Sequence, residues 1–301
     1  METAKSTLKK IRAINRMSAG QHIKSYLRHP LSLTLALLVC LAALITVCML
    51  VFIVVYILAK GIPYLTPSLF ELEYTTENVS LFPAIVTTIE MTLLSLLIAA
   101  PLGILTAVYL VEYAKRGNKL VGLVRLTSET LSGIPSIVYG LFGMLFFVTA
   151  VHWGYSLISG AFTLAIMILP LIMRTTEEAL KSVPDPYREA SFGLGAGKLR
   201  TVFVIVLPSA VPGILAGVIL AVGRIVGETA ALIYTAGTVA QIPMGKDFLF
   251  MSGRTLAIHM YALSSEALYT NQAYATAVVL LITVLLINTL SALIARRLTK
   301  G

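Results

Sequence analysis

The longest uninterrupted apolar run of the chain covers residues 31–58 and contains no charged side chain. A helix needs about 20 apolar residues to cross the hydrocarbon core of a membrane, so this run is long enough to span it. It also exceeds the apolar core of a cleavable signal peptide, which is about 7 to 15 residues long. Of all residues, 57% are hydrophobic and 12% are charged, against about 25% charged in an average soluble domain. We therefore predict an all-α integral membrane protein with this run as an uncleaved first span.

Five further apolar segments are separated by polar turns or by turns containing Gly and Pro, so each can form another span. They cover approximately residues 83–109, 121–148, 157–173, 212–234 and 272–295. In the third segment, SGIPS at 132–136 predicts a kink or a break near the middle of the helix. Small residues four apart in the fifth segment predict close helix packing, at Gly213 with Gly217 and at Gly223 with Gly227. We expect about six transmembrane helices.

The basic residues indicate how these spans are oriented. Of the 23 Lys and Arg residues, only Lys60, Lys246 and Arg254 fall in segments that lie outside if both termini are inside, and Arg125 and Arg224 fall within spans. Basic residues are enriched in the cytoplasmic segments of membrane proteins. The distribution predicts a multi-pass protein of the cell (cytoplasmic or inner) membrane with both termini cytoplasmic. It also explains the formal net charge of +9 without a nucleic-acid partner.

This topology divides the chain into three regions. Residues 1–30 form a basic cytoplasmic tail, residues 31–296 form the six-span body, and residues 297–301 form a cytoplasmic C-terminal tail. Within the body, a long charged cytoplasmic loop is expected at about 175–208, between the fourth and fifth spans. It is the candidate surface for a partner outside the membrane.

The sequence contains no pattern typical of a catalytic, metal or nucleotide site. Cys40 and Cys48 lie eight positions apart in the first span, or about 12 Å along a helix, which is too far for a disulfide. A P-loop requires G-x-x-x-x-G-K-[ST]. Before Gly197-Lys198, however, the first glycine position holds Phe192, and the hydroxyl position holds Leu199. We predict no catalytic residue, no metal ligand and no cofactor in this chain.

The second half of the charged loop has the pattern of two short helices. Asp185 suits an N-cap and Pro186 suits the first helical position. The glycines at 193, 195 and 197 then break the helix. A second helix is expected to begin at Lys198 and to lie at the membrane surface. A short exposed helix of this kind suits docking into a groove of a partner.

The same loop resembles the EAA signature, E-A-A-x3-G-x9-I-x-L-P, of membrane subunits of binding-protein-dependent ABC importers. Ser191 replaces the second Ala of the signature. The matching residues are Glu189, Ala190, Gly195, Ile205, Leu207 and Pro208. The resemblance implies a type I, MetI-like permease fold in which these residues dock an ABC ATPase subunit. It also implies that ATP and Mg are bound by the partner ATPase and that an external binding protein delivers the substrate.

Neighbouring segments narrow this resemblance. The stretches LSGIPSIVYGLFG at 131–143, LPLIMRTTEEALKSVP at 169–184 and GRIVGETAALIYTAG at 223–237 resemble permeases of phosphate importers, the PstA branch more than the PstC branch. The resemblance implies inorganic phosphate as substrate, with a PstB-like ATPase dimer, a PstC-like second permease and a PstS-like binding protein as partners. A permease for another oxyanion, sulfate or molybdate, and the PstC branch itself are the nearest alternatives.

Ionisable residues within spans are candidates for a substrate path, because a charge in hydrocarbon is costly. Arg224 is predicted to lie deepest, and Glu228, four residues later, is predicted to share its helix face. Either the two neutralise each other, or partners on neighbouring helices, and hold the bundle together, or the guanidinium binds the transported anion and Glu228 compensates its charge in the empty site. The R-x-x-x-E-T motif at 224–229 resembles the one associated with translocation in the family, which favours the second interpretation.

Four other charged residues lie in or near the spans. Arg174 matches the R-T-T-E-E segment of the family and ranks second for the anion path, with a snorkelling anchor as the alternative. Arg125 and Glu129 are four apart near the cytoplasmic end of the third span, which favours a snorkelling side chain with a local ion pair. Glu90 has no base beside it in sequence, so it either pairs across helices or faces a wet vestibule.

Two other classes of protein explain part of the sequence. A secondary anion transporter or a channel also has buried charges in six spans, but it follows an ion gradient and needs no EAA loop. A membrane-embedded enzyme needs a catalytic cluster, and the histidines at 22, 29, 152 and 259 are scattered. The loop therefore favours the permease subunit of an ATP-driven importer, which is not itself an enzyme.

Overall fold

The structure is a computed structural model that describes residues 30–115, 117–265 and 269–298. Nearly all of the predicted basic tail at 1–30, Arg116 in the predicted inner turn, and residues 299–301 of the predicted C-terminal tail lie outside the described residues. The chain forms two compact units, residues 1–57 and 58–301. The described part of the first unit belongs to one helix, and the second unit contains all the other described helices.

The described elements are helices joined by turns and irregular segments. In chain order they are α1 (Pro30–Gly61), α2 (Phe82–Val108), α3 (Lys119–Ser132), α4 (Ser136–Gly143), α5 (Leu157–Lys181), α6 (Asp185–Gly193), α7 (Lys198–Arg200), α8 (Leu207–Val226), α9 (Ala230–Ile233), α10 (Leu256–Ser265) and α11 (Thr270–Leu298). Five helical segments are long and apolar enough to cross a membrane, and a sixth crossing is present if the bent pair α3 and α4 forms one span. The prediction of an all-helical membrane protein with about six spans is confirmed.

The third predicted span is a sharply bent pair of helices. α3 ends at Ser132 and α4 begins at Ser136, and the two axes, with α4 extended to Ala150, meet at 103°. Pro135 prevents a continuous helix because it has no backbone N–H to donate. The Tyr139 hydroxyl of α4 donates to the Leu131 carbonyl of α3 at 2.7 Å and holds the corner. The predicted break near the middle of this span is confirmed.

The central helix is α5, which packs most extensively against α2 and α8. Glycines let α8 approach it closely. A Cβ at Gly213 would lie 2.6 Å from the Ala179 Cβ, and one at Gly217 would overlap Thr175. The predicted packing role of this glycine pair is confirmed. For the second pair it is wrong, because a Cβ at Gly223 meets no atom within 4 Å and Gly227 follows the end of α8.

The fourth span is longer than predicted. The sequence placed its end at 173, but α5 continues to Lys181. The added turns are rich in good helix formers. They also contain two ion pairs between residues four apart, Arg174 with Glu178 and Glu177 with Lys181, a spacing that stabilises helices. Much of the expected loop is therefore helical.

The fifth span is shifted relative to the predicted 212–234. It begins at Lys198, because α7 runs into α8 through a wider, π-type turn at Thr201–Val206. It ends at Val226, followed by Gly227 and the separate short helix α9. The expected surface helix at Lys198 is therefore the first part of the span. The helix stops between Arg224 and Glu228. The prediction that these two residues share a helix face is therefore wrong.

Candidate functional site

The structure brings Arg224 and Arg174 to one cavity between α3, α5 and the end of α8. The cavity has a volume of about 320 Å³ and is partly open to solvent. Small-molecule sites typically have volumes of about 300–1,000 Å³, so a small oxyanion fits with some water. Four cations and three carboxylates line the cavity, namely Arg125, Arg174, Lys181, Arg224, Glu129, Glu177 and Glu178. The lining therefore carries a net positive formal charge.

The packing of α8 on α5 sets the relative depth of the two arginines. Gly213 faces Ala179 and Gly217 faces Thr175, so the helices run antiparallel in a fixed register. In this register Arg224 lies level with residue 168, six residues further from the charged loop than Arg174. At 1.5 Å per residue, the two Cα atoms are about 9 Å apart along the bundle.

Arg224 is the one cation lining the cavity that forms no ion pair with the described residues. It is half-buried and forms no ion pair with any carboxylate of the described residues. Arg174, by contrast, bonds Glu178 through its Nε at 3.2 Å, and both side chains are about two thirds exposed. An exposed pair of this kind contributes little to stability and opens easily. The cavity thus offers one free guanidinium and a second that is easily released.

Arg125 pairs across helices and not locally. Its Nη2 lies 2.7 Å from Glu177 Oε1 of α5 in an ion pair, so the predicted ion pair with Glu129 is wrong. The same oxygen of Glu177 accepts from Lys181 Nζ at 2.6 Å. Glu177 is 7% exposed, and a buried carboxylate needs this compensation. The packing of α3 on α5 sets this contact, which the spacing of residues along one helix cannot reveal.

Glu228 has a different contact from the one expected. Its Oε1 accepts from the backbone N–H of Ala231 at 3.1 Å and caps the short helix α9. The residue is 9% exposed and is not among those lining the cavity. Arg224 and Glu228 form no ion pair, so the structural pair is wrong. The structure also gives no support to Glu228 as the group that compensates Arg224 in the empty site.

The segment that matches the EAA signature is presented on the surface. Glu189 and Ala190 are exposed on α6, and Leu194 is 90% exposed just after it. Gly195 has φ +80°, in the region that favours glycine. Its N–H donates to the Phe192 carbonyl at 2.9 Å and ends the helix. The glycine of the signature is therefore required by the turn itself.

The departure from the signature, Ser191, has a structural role. Its hydroxyl is 2.8 Å from the Thr201 hydroxyl, in a buried contact that joins α6 to the start of the fifth span. Leu207 packs against the apolar cluster around Val206.

At the other end of α6, the predicted N-cap is wrong, because Pro184 occupies that position and Asp185 bonds Arg188 instead.

A contact between the loop and α2 was not predicted. Arg188 of α6 donates through Nη2 to Glu112 Oε1 at 2.8 Å, and through Nη1 to the Val183 carbonyl at 2.7 Å. Both charged side chains are largely buried, 15% and 8% exposed. Lys198 lies over the ring of Tyr113, 5.2 Å from its centre. No short-range pattern links residues 76 positions apart, so a single sequence cannot indicate this contact.

Buried polar groups also occur in the segment between α9 and α11. Arg254 is 7% exposed, its Nε and Nη2 have no hydrogen-bond partner among the described residues, and it lies over the ring of Tyr74. Burial, and then the charge of Arg254, lower the pKa of His259 from 6.5 to about 3. The imidazole is therefore neutral at pH 7.

Glu90 Oε2 is buried without a hydrogen-bond partner among the described residues, so the cross-helix pair considered for it is absent there.

The part of the chain that the structure describes contains no group of three His, Cys, Asp or Glu side chains that could hold a metal ion. Around α3, α5 and the end of α8, the charged groups are instead arginines, a lysine and carboxylates in ion pairs or facing the cavity. Such an arrangement can bind and release an anion, because Arg offers several donors in a planar fork.

Comparison with known proteins identifies the family. Residues 99–301 match the family described as binding-protein-dependent transport system inner membrane component. The chain is 39% identical over 208 residues to the probable ABC transporter permease protein YqgI of Bacillus subtilis, covering 65% of this chain and 70% of that protein. It is 37% identical over 276 residues to the phosphate transport system permease protein PstA of Pasteurella multocida, covering 87% and 92%. The PstA protein of Haemophilus influenzae is 31% identical, covering 90% and 96%.

Solved structures with the same fold are more distant in sequence. A chain of a bacterial alginate ABC transporter superposes with a TM-score of 0.66 at 17% identity, covering 92% of this chain and 98% of that one. A chain of the inward-facing MetNI methionine ABC transporter gives a TM-score of 0.56 at 22% identity, covering 73% and 94%. These similarities support the fold alone, and the predicted type I permease fold is confirmed.

The family assignment also decides the general role. A permease of this family is a non-catalytic, multi-pass component of the inner membrane; it binds no cofactor and works with an ATPase, which hydrolyses the ATP, and with a binding protein. With the match over two thirds of its length and the shared helical fold, the chain belongs to the binding-protein-dependent transport system inner membrane components.

Proposed function

We propose that the chain is the PstA-type permease subunit of an ATP-driven importer of inorganic phosphate. The observation that carries the proposal is the unpaired Arg224 in a net-positive cavity, in a chain that shares 37% identity with a phosphate permease over nearly its whole length. Its partners are then a PstB-like ATPase dimer, a PstC-like second permease, a PstS-like external binding protein and membrane lipid. Residues 31–296 form the permease body, and both tails are cytoplasmic.

In this proposal the anion passes Arg224 and then Arg174. A phosphate near neutral pH carries at least one negative charge, so it needs a polar path through the hydrocarbon. The Arg224 fork suits bidentate contact with phosphate oxygens. Arg174 lies about 9 Å nearer the loop and is released when its exposed pair with Glu178 opens. Glu228 contributes indirectly, because it caps α9 directly after the helix that carries Arg224.

The docking surface for the ATPase is the loop that carries the EAA-like residues, at about 175–208. Glu189, Ala190 and Gly195 lie on the exposed side of α6 and its terminal turn. Ile205, Leu207 and Pro208 lie on the helix that leads to Arg224. Closure of the ATPase dimer would press on α6, and the continuous helix from Lys198 to Val226 would carry the movement to the cavity.

Other oxyanions are the nearest alternative substrates. Sulfate and molybdate are also tetrahedral anions, and one guanidinium does not distinguish them from phosphate by charge alone. The names of the relatives with high coverage favour phosphate and the PstA branch over PstC.

The site is tested with the complete importer reconstituted in lipid vesicles with ATP on the cytoplasmic side. Arg224→Gln should lower ATP-dependent uptake of labelled phosphate at least about tenfold, because a charge-assisted hydrogen bond is worth about 1.5–3 kcal/mol. Co-purification of the subunits should be unchanged. Lys246→Gln, which removes an exposed cation from a segment outside the cavities, is the matched control and should transport normally. Normal uptake by Arg224→Gln would overturn the proposed path.

A further inference from the structure

We propose that the anion leaves the Arg224 cavity between α3 and α5 through a second binding position formed by Arg125 and Lys181. Glu177 holds both cations when that position is empty. The inference rests on the proposed function, since it concerns the same anion on the same path. The ligand is a tetrahedral oxyanion of the phosphate type.

Two polar cavities meet at the proposed position. The second cavity has a volume of about 680 Å³ and lies on the loop side of the first. Arg125 and Lys181 line both cavities. The far end of the second cavity is formed by Lys115 and Asn118 in the turn before α3, and by Arg188 of α6. Two polar cavities that share Arg125 and Lys181 therefore lie between Arg224 and the loop end of the helices.

The charges at this junction favour an anion. One oxygen of Glu177 lies 2.7 Å from Arg125 Nη2 and 2.6 Å from Lys181 Nζ, so one carboxylate faces two cations and a positive charge is left over. The Arg125 side chain is 42% exposed, and Nη2 is its only nitrogen in an ion pair among the described residues. The guanidinium therefore has a donor available for an oxyanion while it still contacts Glu177. Arg is well suited to such shared binding because its five donors lie in a planar fork.

Glu177 keeps the second position from becoming a trap. Conduction requires binding that is strong enough for entry and weak enough for release. An anion between two uncompensated cations would be held tightly. The carboxylate competes with the anion for Arg125 and Lys181 and so promotes release of the anion into the second cavity. Lys181 is fixed beside Glu177 on α5, whereas Arg125 comes from α3, so a movement of α3 relative to α5 changes access to the position.

The experiment uses the complete importer in vesicles, with Arg125→Gln, Glu177→Gln and the double variant. Initial uptake of labelled phosphate is measured while unlabelled phosphate inside the vesicles is varied, and Lys246→Gln is again the control. Arg125→Gln should lower the uptake rate about tenfold, the effect of losing one charged contact to the anion. For Glu177→Gln, uptake should be inhibited by half at an internal phosphate concentration several-fold lower than for the wild type, because release of the anion is slowed. The double variant should be as slow as Arg125→Gln.

Other outcomes would overturn the inference. If Arg125 and Glu177 form only a structural ion pair, both single variants will be impaired to the same extent, internal phosphate will act on them as on the wild type, and the double variant will recover. If the position holds a lipid headgroup, the effect of Arg125→Gln will appear in vesicles with phosphatidylglycerol and disappear in pure phosphatidylcholine. Failure of the proposed function differs from both, since the wild-type importer would then take up no phosphate.

Discussion

Arg224 has no carboxylate partner among the described residues, because α8 ends two residues after it, at Val226. Gly227 ends the helix, and the carboxylate of Glu228 turns to the N–H of Ala231 in the next short helix. Had the helix continued, the two side chains would have been four residues apart on one face, the spacing of a local ion pair. A break in the helix thus leaves a cation facing the cavity and uses the nearby acid to stabilise the break.

Gly195 provides a residue-scale test of the docking loop. At φ +80° any other L-residue is strained by about 1–2 kcal/mol, so Gly195→Ala should loosen the turn after α6. We expect ATP hydrolysis by the assembled importer to continue while phosphate uptake per ATP falls several-fold. Gly193→Ala is the matched control, since a Cβ there also meets no atom within 4 Å but its φ is not positive. Equal coupling in the two variants would contradict a docking role for this turn.

At the scale of elements, the loop is attached to two spans. The Ser191–Thr201 contact joins α6 to the fifth span, and Arg188 with Glu112 joins it to the end of α2. Lys198 over Tyr113 is a second contact between the same two regions. A push on α6 therefore acts on α2 and the fifth span together, and both pack against α5, the central helix.

The attachment to α2 is tested by Glu112→Gln. Removing one partner of a buried ion pair costs about 3–5 kcal/mol, because the remaining charge stays buried. We expect phosphate uptake per ATP hydrolysed to fall while subunit assembly is retained. Lys198→Gln, which loses only an exposed cation–π contact of about 0.5–1 kcal/mol, should have a much smaller effect. A charge-exchange variant, Glu112→Arg with Arg188→Glu, is made alongside. If this variant and Glu112→Gln both couple ATP hydrolysis to uptake normally, α2 does not take part in coupling.

The sequence predicted elements better than contacts between them. Pro135 and its neighbours predicted the bend between α3 and α4, because the missing backbone N–H of a proline interrupts a helix at that position. The expected partner of Arg125 was wrong for the opposite reason: the packing of α3 on α5 brings the side chain to Glu177 of another helix. The spacing of Arg224 and Glu228 misled because it is informative only within an unbroken helix. Arg188 with Glu112 depends on the packing of distant segments and has no short-range signal.

At the scale of the whole molecule, the number of crossings depends on the bent pair α3 and α4. Counted as one span, the pair gives six crossings and both termini on one side; folded back on itself, it gives five. The basic residues favour six with cytoplasmic termini. Single cysteines at Lys115 and Tyr155, both exposed, in a background with Cys40 and Cys48 replaced by Ser, should react with an impermeant thiol reagent from opposite sides. Reaction of both from the same side would show a re-entrant pair.

The most direct measurement of the central claim is the substrate dependence of ATP hydrolysis by the assembled complex in lipid vesicles. Binding protein loaded with phosphate should stimulate hydrolysis, and phosphate should accumulate in proportion to the ATP consumed, whereas sulfate and molybdate should do neither. Stimulation by sulfate or molybdate in place of phosphate, or phosphate uptake that follows an ion gradient without ATP, would contradict the assignment of this chain to an ATP-driven phosphate importer.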